Sequence, residues 1–308
     1  MATAVAPPVA RARPRVAYKT RWGEMIAGTA ESALTGKRLS ARKGQVQLVF
    51  TSPPFPLNRK KKYGNLSGDS YVEWLASFAI LLREYLTTDG SIVLELGNSW
   101  NPGSPTMSTL ALRALLAFMD AGEFHLCQQF ICHNPARLPS PVQWVNRERI
   151  RVKDSFTHVW WMSPTEYPRA DNKAVLRPYS ASMLKLLDEQ DYNPGKRPSE
   201  HNIGPASFLK DHGGAIPSNV LSLTNTISND RYHQYCRANH LRPHPARMQA
   251  GLPEFFIKFL TLKNDLVLDP FAGSNTTGSV AQALGRRWLS IEADENYAEE
   301  SVGRFSRA

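Results

Sequence analysis

Hydrophobic positions along the chain fall into short apolar runs that alternate with longer stretches of helical period. Residues 46–50 (Val-Gln-Leu-Val-Phe) and 91–96 predict buried strands. Between them an apolar stripe with spacing i, i+3, i+4, i+7, i+11 predicts a helix, and it consists of Tyr71, Trp74, Leu75, Phe78 and Leu82. The same reading predicts strands at 124–132, 157–162, 265–268 and 287–291, and helices at 106–120, 252–262 and 276–284. This alternation predicts a parallel-type α/β sheet with helices on both faces.

Local signals mark some of these boundaries. Ser70 and Glu73 have the spacing of a capping box at the start of the first long helix. Asp89-Gly90 predicts a turn directly before the strand at 91–96.

The texture changes between about residues 163 and 237, where Pro, Asn, Ser, Asp, Gly and His dominate. A short stretch at 180–188 is the only clear helical pattern there. Aromatic and basic residues are interleaved in this segment, among them Lys196 and Arg197. That pattern suits an insertion that reads DNA, but composition alone favours the simpler reading of a solvated loop region.

The charge balance is strongly basic. The 308 residues include 37 Lys and Arg against 27 Asp and Glu, which gives a net charge of +10. This balance suits a polyanionic partner, although a basic protein without a nucleic-acid role has the same composition. The odd, sparse count of three cysteines argues against a disulfide framework and for a reducing cytoplasm. No two of them form a Cys-x-x-Cys pair, which argues against a zinc site. No apolar stretch is long enough to span a bilayer, and prolines in residues 1–16 indicate a mobile basic tail and not a signal peptide.

Near the carboxyl end, a predicted strand is followed by a glycine-bearing turn and a helix. The turn reads Asp269-Pro270-Phe271-Ala272-Gly273-Ser274-Asn275-Thr276-Thr277-Gly278, and the next strand ends in Glu292. Glycine lets a ligand approach the backbone, and a terminal acid can accept hydrogen bonds from both ribose hydroxyls. The order of turn, helix, strand and acid favours a nucleoside site over a surface carboxylate.

The strand at 46–50 is followed by Ser52-Pro53-Pro54-Phe55. An exocyclic amine on a base is a poor nucleophile because its lone pair is delocalised into the ring. A hydroxyl and a carbonyl fixed by proline could bind its two N–H groups, while an aromatic ring stacks on a flipped base. Taken alone, this tetrapeptide is more simply an ordinary rigid turn. Both motifs follow strands, however, so both could line one cleft.

Together these residues resemble the amino-group DNA methyltransferases that use S-adenosylmethionine. Ser52-Pro53-Pro54-Phe55 resembles catalytic motif IV in its N4-cytosine form, and residues 269–274 resemble motif I, the cofactor site. His244-Pro245-Ala246-Arg247 looks like motif X, which flanks the methionine end of the cofactor. The catalytic motif precedes the cofactor motif, which is the permuted order of the β group. The resemblance covers nearly the whole chain after its first residues.

The resemblance implies a Rossmann-like methyltransferase fold with a mostly parallel seven-stranded sheet and an inserted target-recognition region. It divides the chain into a tail (1–16), a catalytic half (17–162), a recognition region (163–240) and a cofactor half (241–308). The implied catalytic residues are Ser52, Pro53, Pro54 and Phe55. The implied cofactor residues are Asp269, Pro270, Phe271, Gly273, Ser274, Asn275, Thr276, Thr277, Glu292, His244 and Pro245. Candidate DNA contacts are Arg59, Lys60, Lys61, Lys62, Lys196 and Arg197, and no metal is expected.

The implied reaction is transfer of a methyl group to N4 of a flipped cytosine in double-stranded DNA. The alternatives are an N6-adenine enzyme, a methyltransferase acting on a protein amide, and a catalytically silent DNA-binding protein of the same fold. The resemblance further suggests a cytoplasmic bacterial protein, a monomer or homodimer, that shares its site with a restriction endonuclease without touching it.

The sequence departs from the family pattern at three positions. Asn275 stands where glycine is common, and asparagine tolerates the positive φ that the turn needs. Thr29 replaces an acid expected to contact the adenine amine, and Gln47 replaces an acidic residue that often precedes motif IV.

Overall fold

The computed structural model describes residues 13–55, 68–204, 208–224 and 229–305. Four of the predicted DNA contacts, Arg59, Lys60, Lys61 and Lys62, lie outside these ranges, as does most of the predicted N-terminal tail. In the part of the chain that the structure describes, no helix is long and apolar enough to cross a membrane.

The described residues form eleven strands and nine α-helices. The strands are β1 (Arg15–Lys19), β2 (Gly23–Ala27), β3 (Val46–Thr51), β4 (Leu86–Gly97), β5 (His125–His133), β6 (Phe156–Ser163), β7 (Gly195–Lys196), β8 (Asn202–Ile203), β9 (Val220–Ser222), β10 (Leu266–Asp269) and β11 (Arg287–Glu292). The helices are α1 (Ala30–Leu34), α2 (Lys37–Ser40), α3 (Asp69–Tyr85), α4 (Leu110–Gly122), α5 (Ala181–Glu189), α6 (Arg231–Ala238), α7 (Gly251–Leu260), α8 (Thr276–Ala283) and α9 (Glu295–Glu300).

Nine strands of the described residues form one sheet in the order β1-β2-β11-β10-β3-β4-β6-β5-β9. Five neighbouring pairs are parallel, and the pairs β1–β2, β4–β6 and β5–β6 are antiparallel. The predicted Rossmann-like, mostly parallel fold is confirmed. The predicted count of seven strands is wrong, because β1 and β9 extend the sheet at its two edges.

Buried apolar side chains cover both faces of this sheet. On one face, residues of α1 to α4 pack against the strands, with Phe78 and Phe118 among the largest fully buried side chains. On the other face, α7, α8 and α9 supply residues such as Phe256, which packs against Phe50 of β3. β3 and β10 are buried along their whole length, as expected for central parallel strands.

Several predicted boundaries differ from the structure. The prediction of a capping box at Ser70 and Glu73 is wrong. Helix α3 begins after Gly68, whose φ is 60°, and no side chain caps its first turn. The turn predicted at Asp89-Gly90 lies inside β4, where pairing with β3 is irregular. α4 begins at Leu110 and not near residue 106, since the preceding loop is closed by a bridge between Trp100 and Met107.

Helix α6 was not predicted. Its buried residues are Tyr232, His233 and Cys236. Because none of these side chains is aliphatic, the sequence shows no apolar stripe from which a helix could be predicted. Asp230 accepts a hydrogen bond from the His233 amide and caps the helix. The short helix predicted at 180–188 is confirmed as α5, which Ser180 caps.

The described chain separates into two compact units, of which the smaller is formed by residues 171–218. The smaller unit holds α5 and the two-stranded sheet of β7 and β8. It lies within the predicted recognition region of 163–240. The remainder of that region, including β9 and α6, belongs to the larger unit.

Candidate active site

A cleft of about 640 Å³ opens at the carboxyl ends of β3, β10 and β11 in the larger unit. β3 and β10 are parallel neighbours, so the two motifs that follow them meet although they are far apart in sequence. Fourteen of the predicted catalytic and cofactor residues line this cleft. They are Ser52, Pro53, Pro54, Phe55, His244, Pro245, Asp269, Pro270, Phe271, Gly273, Ser274, Thr276, Thr277 and Glu292.

The end of the cleft that is lined by Ser52 contains a carboxylate that was not predicted as a site residue. Glu95 lies near the end of β4, and its Oε1 accepts a hydrogen bond of 2.8 Å from Thr157 Oγ1. The Ser52 hydroxyl also hydrogen bonds to this carboxylate. Burial raises the pKa of Glu95, while the hydroxyls of Thr157 and Ser52 and the charge of Arg137 act in the opposite direction. A sequence signal was present, since Glu95 interrupts the apolar run of a buried strand.

The segment after Ser52 is held by one contact at Pro54 and one at Phe55. The Pro54 carbonyl accepts a hydrogen bond of 2.9 Å from the hydroxyl of Tyr71, which is buried in α3. The ring of Phe55 lies against Gly97 at the end of β4, where a Cβ atom would stand only 2.4 Å from a ring carbon. Glycine at position 97 therefore makes room for this ring at the mouth of the cleft.

Asp269 connects β3 to the turn that follows β10. Its Oδ1 accepts hydrogen bonds from Thr51 Oγ1 at 2.7 Å and from the Phe271 amide at 3.1 Å, and its Oδ2 accepts one from Thr277 Oγ1 at 2.6 Å. Burial raises the pKa of Asp269 to about 6, and the two threonine hydroxyls and the amide oppose the rise. Because its oxygens are used by the protein, Asp269 braces the turn.

The turn after β10 requires two residues with left-handed backbone. Gly273 has φ 52° and Asn275 has φ 56°, so the expectation that asparagine tolerates this position is confirmed. Asn275 is fully buried and is not among the residues lining the cleft. Its side chain accepts hydrogen bonds from the Gly278 amide and Ser290 hydroxyl and donates one to the Tyr18 hydroxyl, so it supports the turn from behind.

Glu292 closes the other side of the turn. Its Oε2 accepts a hydrogen bond of 2.7 Å from the Gly273 amide, and its Oε1 accepts one of 2.9 Å from the Asp294 amide. Burial raises the pKa of this carboxyl. Next to it, the ring of Phe271 packs against Trp74 and Phe78, with ring centroids 5.5 and 5.1 Å apart. The carboxyl of Glu292 and the ring of Phe271 therefore both line the cleft.

His244 lies beside the glycine of the turn. A Cβ at Gly273 would stand 3.1 Å from His244 Cε1, and the His244 ring meets the Tyr297 ring edge-on at 4.5 Å. Burial lowers the pKa of His244, which favours the neutral imidazole. Near this end, Thr29 caps α1, and Glu31 accepts a hydrogen bond of 2.9 Å from the Trp74 indole. An acid thus reaches the cleft two residues after Thr29.

The cleft has the features that a nucleoside cofactor requires. A glycine without a side chain lets a ligand approach the backbone, an acid ends the next strand, and Phe271 provides an apolar face. Among the described residues, no group of His, Cys, Asp and Glu is placed to hold a metal ion. The arrangement can therefore hold a nucleoside next to a hydroxyl–carboxylate pair.

Two of the predicted DNA contacts, Lys196 and Arg197, belong to the smaller unit. Lys196 forms an ion pair of 2.7 Å with Glu200, and the Arg197 guanidinium donates to the Asn193 carbonyl at 2.6 Å. Both side chains are bonded to neighbours within the same unit.

Comparisons with known proteins agree with this geometry. The profile of the DNA methylase family, designated for N6 and N4 methyltransferases, matches residues 46–303. The chain is 45% identical to the type II methyltransferase M.PvuII of Proteus hauseri over 291 residues, which are 94% of this chain and 85% of that protein. It is 25% identical to M.BglII of Bacillus subtilis, over 82% of this chain and 62% of that protein.

Among solved structures, the cytosine-N4-specific PvuII DNA methyltransferase is similar with a TM-score of 0.76 and 38% identity, covering 95% of this chain and 89% of that one. The M1.HpyAVI–SAM complex shares the fold, with a TM-score of 0.53 and 18% identity over 92% of this chain and all of that one. From the matched profile, the identity to M.PvuII and the two motifs in one cleft, we conclude that the chain belongs to the DNA methylase family of N6 and N4 methyltransferases.

Proposed function

We propose that this protein transfers a methyl group from S-adenosylmethionine to the exocyclic N4 of a flipped-out cytosine in double-stranded DNA. The observation that carries the proposal is that the hydrogen-bonded pair of Ser52 and Glu95 lies next to the turn after β10. Thr51, the neighbour of Ser52, is bonded to Asp269 at the start of that turn. The chain's 45% identity to M.PvuII, together with the cytosine-N4-specific name of the similar PvuII structure, favours cytosine over adenine.

The catalytic end is suited to bind and polarise an amine. The Ser52 hydroxyl and the Pro53 carbonyl accept hydrogen bonds from the two N–H groups of N4, which draws its lone pair out of conjugation with the ring. The Phe55 ring, seated on Gly97, stacks on the base and replaces stacking lost when the base leaves the duplex. The protein thereby contributes mainly orientation and polarisation.

Glu95 completes this set of acceptors. Its carboxylate is bound by Ser52 and Thr157, and burial raises its pKa, so it is a better proton acceptor than an exposed glutamate. The proton that N4 loses passes through Ser52 Oγ to the Glu95 carboxylate. Nucleophilic attack by cysteine is not needed, because the attacking atom is the amine nitrogen.

The cofactor end would hold S-adenosylmethionine through the turn after β10. When bound, S-adenosylmethionine supplies the electrophilic methyl carbon. Glu292 would accept hydrogen bonds from the ribose, and Phe271 would pack against the adenine. The backbone around Pro270, Gly273, Ser274 and Thr276 would line the nucleoside, while Asp269, Asn275 and Thr277 hold the turn. His244 and Pro245 would flank the methionine end.

The DNA would be bound by the basic parts of the chain. We assign target recognition to residues 163–240, with Lys196 and Arg197 near phosphates, and phosphate contacts to Arg59, Lys60, Lys61 and Lys62. The net charge of +10 supports this assignment. We further propose that the protein is cytoplasmic and is a monomer or a homodimer. A restriction endonuclease would recognise the same DNA sequence without contacting the protein.

The test is to express the protein in a host without DNA methylation and to measure methylated nucleosides in its genomic DNA by mass spectrometry. We expect N4-methylcytosine, which disappears with Ser52→Ala. The matched control is Ser40→Ala, since Ser40 is an exposed serine of α2 whose hydroxyl donates to the Lys37 carbonyl of the same turn. N6-methyladenine in place of N4-methylcytosine would refute the base assignment, and the absence of both would refute the proposed reaction.

A further inference from the structure

The cleft contains an arginine that neither motif includes. Arg137 belongs to the turn that follows β5, in which its amide donates to the Asn134 carbonyl at 3.1 Å. Its half-buried side chain lines the same cleft as Ser52 and Phe55. Its positive charge acts on the Glu95 carboxylate. Arg137 thus lines the cleft together with Ser52, and its charge acts on the carboxylate to which Ser52 is hydrogen bonded.

The guanidinium of Arg137 is oriented by the protein backbone. Its Nη1 donates a hydrogen bond of 3.2 Å to the Phe156 carbonyl, at the start of β6. Among the described residues, the Phe156 carbonyl is the acceptor to which the Arg137 guanidinium donates. A guanidinium has five N–H donors, so others remain to bind a ligand. The Lys153 ammonium donates to the Arg137 carbonyl at 3.4 Å, which fixes the turn that carries the side chain.

The hydrogen-bonding edge of the base decides what such a donor recognises. Cytosine presents its N4 amine as a donor, then N3 and O2 as two acceptors. Adenine presents its N6 amine and N1 in the corresponding places, but a C–H group where cytosine has O2. A site with acceptors for the amine therefore binds both bases, and a donor placed at the third position distinguishes them.

We propose that Arg137 donates hydrogen bonds to the O2 edge of the flipped base and thereby selects cytosine over adenine. This inference rests on the proposed amine transfer and adds to it the residue that determines the base. Ser52 and the Pro53 carbonyl bind the amine in either base, so they cannot make the choice. The guanidinium matches the acceptor that only cytosine has.

The test compares two duplexes that contain the methylation site, identified by sequencing DNA modified by the wild-type protein. One carries cytosine at the target position and the other adenine, each opposite an abasic position so that the cost of flipping is similar. The kcat/KM for methyl transfer is measured for the wild type, Arg137→Met, Arg137→Lys and Arg151→Met. Arg151 is the matched control, because its guanidinium is bonded to the Pro105 carbonyl and does not line the cleft.

We expect Arg137→Met to lower kcat/KM on cytosine by roughly 5- to 150-fold, which corresponds to about 1–3 kcal/mol at 1.36 kcal/mol per tenfold change. The rate on adenine should change little, so the cytosine-to-adenine ratio falls, and Arg151→Met should leave both rates unchanged. Arg137→Lys keeps the charge without the fork and should restore only part of the ratio.

Two results would overturn the inference. An equal loss on both bases would make Arg137 a structural residue, and full activity in Arg137→Lys would reduce its role to charge. A wild-type protein that methylates neither base would refute the proposed function itself. That outcome is distinct, because it is observed before any Arg137 variant is measured.

Discussion

The hydrogen bond from Thr277 to Asp269 gives the sharpest test of the physical chemistry of this site. Asp269 is 3% exposed, and burial raises its pKa from 3.8 to about 6. Because its folded-state pKa exceeds the unfolded value, the fold favours the protonated carboxyl. The stability that it contributes is therefore fully present below pH 3.8 and is lost as the pH rises through about 6. Over this window the change is on the order of 3 kcal/mol.

Thr277→Val keeps the shape of the side chain and removes the donor to Asp269 Oδ2. Above pH 7 the variant leaves an ionised, buried oxygen without this donor, and we expect a loss of about 2–3 kcal/mol in the free energy of unfolding. At pH 5 the carboxyl is mostly protonated, and the loss should shrink to about 1 kcal/mol, the value of a neutral hydrogen bond. The loss should thus be larger at high pH, because the variant raises the pKa of Asp269 further.

The assay is urea denaturation of wild type and variant at pH 5 and pH 8, without cofactor. Thr276→Val, the same change at the neighbouring buried position, is the control and should lack the pH-dependent part. Introducing Asp269→Asn into both proteins should also remove it. If Thr277→Val costs the same at both pH values, the carboxylate does not titrate as inferred and the reasoning is refuted.

Three further predictions concern the remaining parts of the site. Glu95→Gln should reduce the single-turnover rate of methyl transfer by roughly 100-fold or more while leaving cofactor affinity nearly intact, and an unchanged rate would show that Glu95 does not accept the proton. Gly273→Ala should weaken cofactor binding in calorimetry, since a Cβ would approach His244 to 3.1 Å. Gly103→Ala, also at positive φ but with no neighbour within 4 Å, should not. Replacing Lys60, Lys61 and Lys62 by alanine should lower the slope of log affinity against log salt by about 0.9 for each lost phosphate contact in DNA-binding titrations.

The sequence predicted the fold and the position of the site because both depend on local patterns. Apolar runs followed by turns identified β3 and β10, and parallel strands in an α/β sheet present their carboxyl ends on one edge. Asn275 was correctly expected to adopt positive φ, since few side chains tolerate that conformation.

Other features depend on contacts between distant residues, which a pattern cannot reveal. Asp269 matched a cofactor motif, yet its oxygens are bonded to Thr51 and Thr277, and only the folded chain shows this. Glu95 was visible as an acid in an apolar strand, but its bond to Ser52 depends on the pairing of β3 with β4. Arg137 follows β5 and enters the cleft only because β5 lies next to β6.

The bond between Thr51 and Asp269 also determines when the protein can become active during its synthesis. The two residues are 218 positions apart, and β3 lies between β4, which follows it closely, and β10, which is made near the end of the chain. During translation, the edge of β3 that pairs with β10 therefore stays unpaired until the segment that carries the smaller unit has been made. Contacts of such long range close late, because the entropy of the intervening loop must be lost first. A nascent chain thus holds Ser52 while the neighbouring Thr51 still lacks its partner Asp269, and the cleft is complete only when β10 and β11 have entered the sheet.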